Sequence, residues 1–354
     1  MIAYPETEQF RTVIASVTRN TRRREEDRDK ELPVLKFIGT VKLHGSNSAI
    51  GYQKDSGHWC QSRNNVITPQ KDNAGFAQYI DRLADQFFND YVLPQSPAIR
   101  EQYEQGRKIV IFGEWCGGNI QKNVAICGLP KMFVIFKVRV REETGTKTTT
   151  EDEAAAVDKE EENTKYSFWL EPKEWSHIKW HDKFIYNIYD FPIYEIDIDF
   201  QNPILSQNKL IEITDAVERQ CPVGTYFNKT GIGEGVVWTE WAQTRGGLTF
   251  KVKGEQHSVS KVKTLAPVDT EKLANIEEFI DYACTENRML QGLDYLREQQ
   301  LTIEMKNMGT FLKWLVNDII KEEKDTMEKS NIDGRDVGRA VQNKARTWFQ
   351  QHLS

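Results

Sequence analysis

The hydrophobic pattern of this chain changes period once, near Pro267, and no single uniform fold accommodates both halves. Before that point the apolar residues fall in short β-rich segments: Val34–Val41, Ser48–Gln53, Lys108–Phe112, Met132–Val140, Tyr194–Phe200, Gly235–Thr239 and Leu248–Val252. Strands this short and numerous, with helical segments at Gly75–Asp90 and Leu205–Ala216 between them, predict an α+β domain of antiparallel sheets flanked by helices. After Pro267 the apolar residues recur at helical spacing. Leu273, Ile276, Phe279, Ile280 and Ala283 form one stripe, and Met289, Leu290, Leu293 and Leu296 a second. A third runs through Met308, Phe311, Leu312, Leu315 and Ile319, and a fourth through Val337, Val341, Ala345 and Trp348 behind the N-cap candidate Asp333. Four such helices predict a small all-α domain at 267–354, following a larger domain at 1–266. A chain of 354 residues is long enough for both.

Composition narrows the setting. Five cysteines, widely spaced and without a Cys-x-x-Cys pair, indicate reduced thiols rather than a disulfide framework or zinc site. No apolar run approaches the roughly 18 residues of a membrane span, and the first thirty residues lack a secretory hydrophobic stretch. The expected setting is a cytoplasm, with no membrane partner and a monomeric chain. A net charge of −6 argues against a protein that coats nucleic acid indiscriminately, although basic residues can still cluster on one face. Near the N-terminus, Phe10, Val13, Ile14 and Val17 precede a mixed charge run from Arg22 to Glu31 that reads as a solvated helix end. Residues 141–165 hold nine acidic residues against four basic, with a Thr tract, and predict a flexible acidic insertion.

The chemistry concentrates in Lys42-Leu43-His44-Gly45-Ser46-Asn47 and, about two hundred residues later, in Glu234-Gly235 and Lys251-Val252-Lys253. A lysine nucleophile needs an unprotonated amine, whereas a free lysine has a pKa of roughly 10.4. Lys251 and Lys253, two apart on a strand, share a face. From there, like-charge repulsion and desolvation would act on Lys42 while both ammoniums hold a phosphate. Gly45 is expected to let the backbone approach a ligand.

With three further motifs the series resembles the ATP-dependent RNA ligases among the covalent nucleotidyltransferases, most closely the phage nick-sealing RNA ligase 2 type. The resemblance covers roughly residues 34–263. Between the lysine motif and Glu234-Gly235-Val236-Val237 lie Ser62-Arg63, then Phe112-Gly113-Glu114-Trp115 running into Gly118–Val124, then Phe133-Val134-Ile135-Phe136; Phe250-Lys251-Val252-Lys253 closes the series. His44 is diagnostic, since DNA ligases and capping enzymes usually carry Asp there. The nick-sealing phage ligases also have a helical C-terminal domain.

The resemblance implies a nucleotidyltransferase (ATP-grasp-like ligase) domain that joins RNA 3′-hydroxyl and 5′-phosphate ends, at nicks or bridged ends, through lysyl-AMP and RNA-adenylate. ATP is the implied AMP donor and Mg²⁺ the metal, with Mn²⁺ as a substitute. Lys42 is the implied nucleophile. Val41, Leu43, Asn47, Arg63, Glu114, Phe136, Lys251 and Lys253 are the implied nucleotide contacts, with Phe136 stacking on adenine and Phe133 on the opposite strand face. Glu234 is assigned to the metal or its waters and Glu114 to the ribose, roles that are open to exchange, and Asn47 to the metal's waters or the incoming 5′-phosphate. His44, two residues from Lys42, is expected on the nucleophile's face. Two positions depart from the family pattern: Lys137 stands where relatives commonly carry Asp, and Thr239 where they carry Lys. A DNA or mixed-strand ligase, a capping-type nucleotidyltransferase and a catalytically silent nucleic-acid binding module are the alternatives. His177 and His181, beside Trp175 and Trp180, read as packing or surface residues rather than metal ligands. In the C-terminal region Lys306, Lys313, Arg335, Arg339 and Arg346 are the candidates for RNA contact.

Overall fold

The computed structural model describes residues 1–72, 74–142, 167–261, 264–270 and 272–353; almost all of the anticipated acidic insertion lies outside them. The described strands are β1 (Glu8–Gln9), β2 (Val34–Lys42), β3 (Ser46–Gln53), β4 (Gly57–Ser62), β5 (Val66–Ile67), β6 (Lys108–Cys116), β7 (Met132–Arg141), β8 (Ser167–Trp169), β9 (Ile185–Asn187), β10 (Ile193–Asp199), β11 (Gly235–Glu240) and β12 (Leu248–Lys253). They form two sheets. One has the order β1-β12-β11-β2-β10; the other runs β5-β4-β3-β6-β7-β8, with β9 also paired to β7. The architecture is α+β and mainly antiparallel as expected, except that β1 joins β12 and β9 joins β7 in parallel.

The first sheet has one dry face, and the second is covered on both. In the first, Phe37, Trp238 and Phe250 are buried and pack toward helix Phe10–Thr21 and helix Ile204–Arg219, with Phe10 and Phe250 ring centroids 5.0 Å apart. Alternation then turns Thr40, Lys42, Val237, Lys251 and Lys253 to the other face. In the second sheet Trp115 and Phe133 are buried against Phe76. The β2–β3 connection, Leu43 to Gly45, crosses from one sheet to the other, so the cleft forms where the chain passes between them. Gly45 borders the cleft and also admits a neighbouring strand, since a Cβ there would lie 2.4 Å from the Trp115 carbonyl oxygen.

The segment 75–90 is not one helix: Phe76–Ile80 is followed by Ala84–Phe87, which runs into a π-helical turn at Phe88–Val92. The C-terminal region contains the four expected helices plus a fifth, Lys324–Ser330. Leu290 is 41 % exposed rather than in the stripe, and Phe349, four residues beyond Ala345, is fully buried while Trp348 only packs at the edge. Asp333 caps its helix as predicted, accepting from the Arg335 N–H. The large core extends to Ala266, whereas the helical core begins at Leu273.

These two cores meet at a buried ionic cluster. Glu323, fully buried, accepts from Arg11 at 2.8 Å, from Arg288 at 3.3 Å and from the Tyr282 hydroxyl at 3.2 Å. Arg288 also pairs with Glu322 at 3.0 Å and Asp318 at 3.2 Å. Removing one partner of such a cluster leaves the others charged and dry. Glu323→Ala is therefore expected to cost about 3–5 kcal/mol and to loosen helix Phe10–Thr21 from the helical region. Urea denaturation with tryptophan fluorescence measures it; a loss below 1 kcal/mol would mean that water replaces the carboxylate.

Candidate active site

Three in-register positions build the floor of the cleft. Lys42 on β2 stands opposite Gly235 on β11, and Gly235 opposite Lys253 on β12, so two lysines flank a residue with no side chain. One step along, Thr40, Val237 and Lys251 repeat the row. Glu234, just before β11 and 2 % exposed, fills the space between the lysines. Its Oε2 lies 2.8 Å from Lys42 Nζ and its Oε1 3.2 Å from Lys253 Nζ. His44 is past the end of β2 rather than on it, yet its Nδ1 approaches the same Oε2 at 3.3 Å. Strand alternation is thus not what aligns His44 with Lys42; a shared carboxylate is.

The second sheet supplies the opposite wall. Asn47 on β3 and Glu114 on β6 are cross-strand partners, and both border a cavity of about 410 Å³ with Lys42, Arg63, Phe136 and Lys251. Val41 and Leu43 also border it, with their own side chains buried in the core. Each residue assigned a catalytic, nucleotide or metal role from sequence is therefore at one cavity, whereas none of Lys306, Lys313, Arg335, Arg339 and Arg346 borders it. Register slips between Phe112 and Gly113, which pair with Lys137 and Ile135, so Phe136 is the extra residue of a β-bulge. The bulge turns Phe136 and Lys137 to the same side, toward the cavity, and Phe133 faces the core.

Electrostatics separates the two carboxylates. Burial alone would raise the Glu234 carboxyl, but Lys42, Lys253 and His44 around it hold it well below the usual range. Glu114 has no such partner among the described residues; burial, with Glu234 nearby, pushes it up to about 7 against the pull of Lys42. Burial lowers Lys253 to about 8, with Lys42 and Lys251 adding to the effect and Glu234 opposing it. Asn47 Oδ1 is buried without a partner among the described residues, an acceptor directed at no protein donor.

Sequence reasoning did not anticipate the roof. Tyr295, Glu298, Trp314, Asp318 and Glu322 of the helical region border the same cavity, and Glu322 pairs with Lys251 at 3.0 Å. Glu6, Asp318 and Glu322 bring carboxylate oxygens within 4.8 Å of one another. Burial and Glu322 raise Asp318 to about 6, while Lys251 and Arg288 hold Glu322 low against its burial. On a helical wheel these acids resemble a solvated face, so periodicity carries no signal for them. Tyr4 packs edge-on against Phe136, ring centroids 5.2 Å apart, and His257 packs edge-on against His44 at 5.4 Å. His177 bonds the Gln95 carbonyl and His181 the Asp190 carboxylate. Among the described residues, no helix is long and apolar enough to cross a membrane.

A family model of RNA ligases matches residues 35–263. Among solved structures, a Naegleria gruberi RNA ligase variant with AMP and Mn aligns at 16% identity and a TM-score of 0.42, covering 72% of this chain and 56% of that one. A second variant of that ligase, with ATP and Mn, gives 16% and 0.41 over the same shares. The same ligase with pyrophosphate gives 18% and 0.38, again over 72% and 56%. This chain thus spans little more than half the length of those structures.

The raised Glu114 pKa has a consequence for stability. Because the folded value, about 7, exceeds the unfolded value of roughly 4.3, the native state binds the extra proton between them. The stabilisation of the protonated form is complete below the unfolded pKa and is lost as pH rises through 7. Relative to Glu114→Gln, the wild type should therefore lose on the order of 1–3 kcal/mol between pH 5 and pH 8. Denaturation of both proteins across that range measures the difference; a difference independent of pH would place the titration elsewhere.

Proposed function

From the premise that this chain belongs to the RNA ligase family, we propose that it is an ATP-dependent RNA ligase of the nick-sealing type, working through a lysyl-AMP at Lys42. The observation that carries the reading is the convergence of Lys42, Lys253 and Glu234 on one cavity. In the first step Lys42 gives up its proton and its Nζ attacks the α-phosphorus of ATP. A P–N bond forms as the P–O bond to pyrophosphate breaks. AMP then passes to the RNA 5′-phosphate, releasing the lysine, and attack by the 3′-hydroxyl forms the phosphodiester and expels AMP.

The transition state of such a transfer spreads negative charge over oxygens, so fixed cations are the main requirement. Lys251, Lys253 and Arg63 supply them. Arg63 also offers a planar fork for phosphate or sugar oxygens, and Phe136 a stacking face for the base. A divalent ion, Mg²⁺ or Mn²⁺, fits the oxygen donors of Glu234, Glu114 and Asn47, and the partnerless Asn47 Oδ1 suits a hard cation or its water. Bound there, it would neutralise charge on the phosphoryl oxygens. Glu322 on Lys251 stands where an anionic oxygen would otherwise bind, so the helical region and a triphosphate compete for that ammonium.

Incubation with α-labelled ATP and Mg²⁺ should label the protein covalently, and Lys42→Arg should abolish labelling, because a guanidinium keeps the charge but offers no neutral amine. Labelled Lys42→Arg protein would move the nucleophile elsewhere. Sealing of matched RNA and DNA nicks then tests the strand preference.

Phe136→Ala should lower kcat/KM for ATP about five- to a hundredfold, and a folded Phe133→Ala variant should lower it less. Equal losses would remove the stacking role.

A further inference from the structure

Lys137 is the most unusual side chain at the cleft that the proposed chemistry does not use. It is 4 % exposed, and none of the ion pairs among the described residues includes it. Its Nζ donates to the Gly246 carbonyl at 2.8 Å and to Thr249 Oγ1 at 3.2 Å, and lies 4.4 Å from the Trp169 ring centroid and 5.4 Å from that of Trp241. An ammonium has three N–H groups. No oxygen or nitrogen acceptor among the described residues takes the third, Lys137 borders the cavity, and a π face is a weaker acceptor than an oxygen or a ring nitrogen.

Its place is as informative as its chemistry. The β-bulge sets it beside Phe136 on the cavity side. Thr249, which it bonds, stands opposite Thr239 in register, and Thr239 borders the cavity too. The two departures from the family pattern therefore meet at the end of the cleft that holds Phe136. Among the described residues no carboxylate offsets the cost of burying this amine, and burial lowers its pKa to about 7.

Resting on the nucleotide-binding reading above, we propose that Lys137 is a specificity residue that donates a hydrogen bond to an acceptor on the edge of the purine stacked on Phe136. A donor-only group distinguishes bases by their acceptors. Guanine offers two adjacent ones, O6 and N7, whereas adenine pairs N7 with an N6 amine that an ammonium repels. Such a pocket accepts GTP as well as ATP, in contrast to one closed by an acidic residue.

The test compares kcat/KM for protein labelling by α-labelled ATP and α-labelled GTP at pH 6.0, where the amine is protonated. Wild type, Lys137→Met and Lys137→Gln are assayed, with circular dichroism to verify folding. The expected result is labelling of the wild type by both nucleotides and a fall of at least about fivefold in the GTP-to-ATP ratio in Lys137→Met. On unmodified protein, the triphosphate of 2-aminopurine riboside, which lacks O6, should lose a similar factor relative to GTP. If Lys137→Met slows both nucleotides equally, or the missing O6 has no effect, the lysine is only a tie between the sheets and the proposal fails. If no nucleotide labels the wild type, the ligase reading itself fails.

Discussion

Glu234 is the group on which the cleft depends. A carboxylate 2 % exposed would be costly alone, and two ammoniums and an imidazole from two separate parts of the chain make it tenable. The converse also holds, because Lys42 and Lys253 sit on the two strands that flank β11, with only Gly235 between them, and would repel without the carboxylate. The same arrangement leaves Glu114, on the other wall, as the carboxyl without a dedicated cation, and its raised pKa follows. Two acids in one cavity are thereby held in different protonation ranges by their neighbours alone.

A second ionic cluster couples the helical region to the cleft. Glu322 lies between Lys251 and Arg288, while the adjacent Glu323 joins Arg288 to Arg11 near the N-terminus. Neighbouring carboxylates at the end of helix Met308–Glu322, its last residue and its cap, therefore connect the cavity roof with the packing of the first helix. Buried clusters of this kind add little net stability over apolar packing, yet losing one member is costly. In the proposed ligase, any anion that takes Lys251 must displace Glu322. Phosphate binding and the position of the roof are then linked by competition for one ammonium.

The β-bulge at Phe136 shows how one backbone irregularity alters a site. In a regular strand Phe136 and Lys137 would face opposite ways. The extra residue places both in the cavity and leaves Phe133 in the core. An aromatic face and a buried donor become neighbours as a result, which is the juxtaposition behind the inference about base selectivity.

Much of this was legible in the sequence. The period change near Pro267 separated sheet from helix, alternation put Lys251 and Lys253 on one face, and the ordered motifs picked out the residues that line the cavity. The weak points were equally physical. The strands β1, β5, β8 and β9 have two or three residues each, too few for a period. Leu290 and Phe349 changed places with the expected pattern because a helical stripe drifts, and packing selects which edge is buried. What the sequence determined by itself was the set of chemical groups and their local facing, since these follow from residue type and a period of 2 or 3.6. Only the tertiary structure decided which charges meet. The pairing of Glu234 with Lys42, of Glu322 with Lys251, and of Lys137 with Thr249 joins segments 71 to 192 residues apart, and register and domain contact, not local periodicity, bring such segments together.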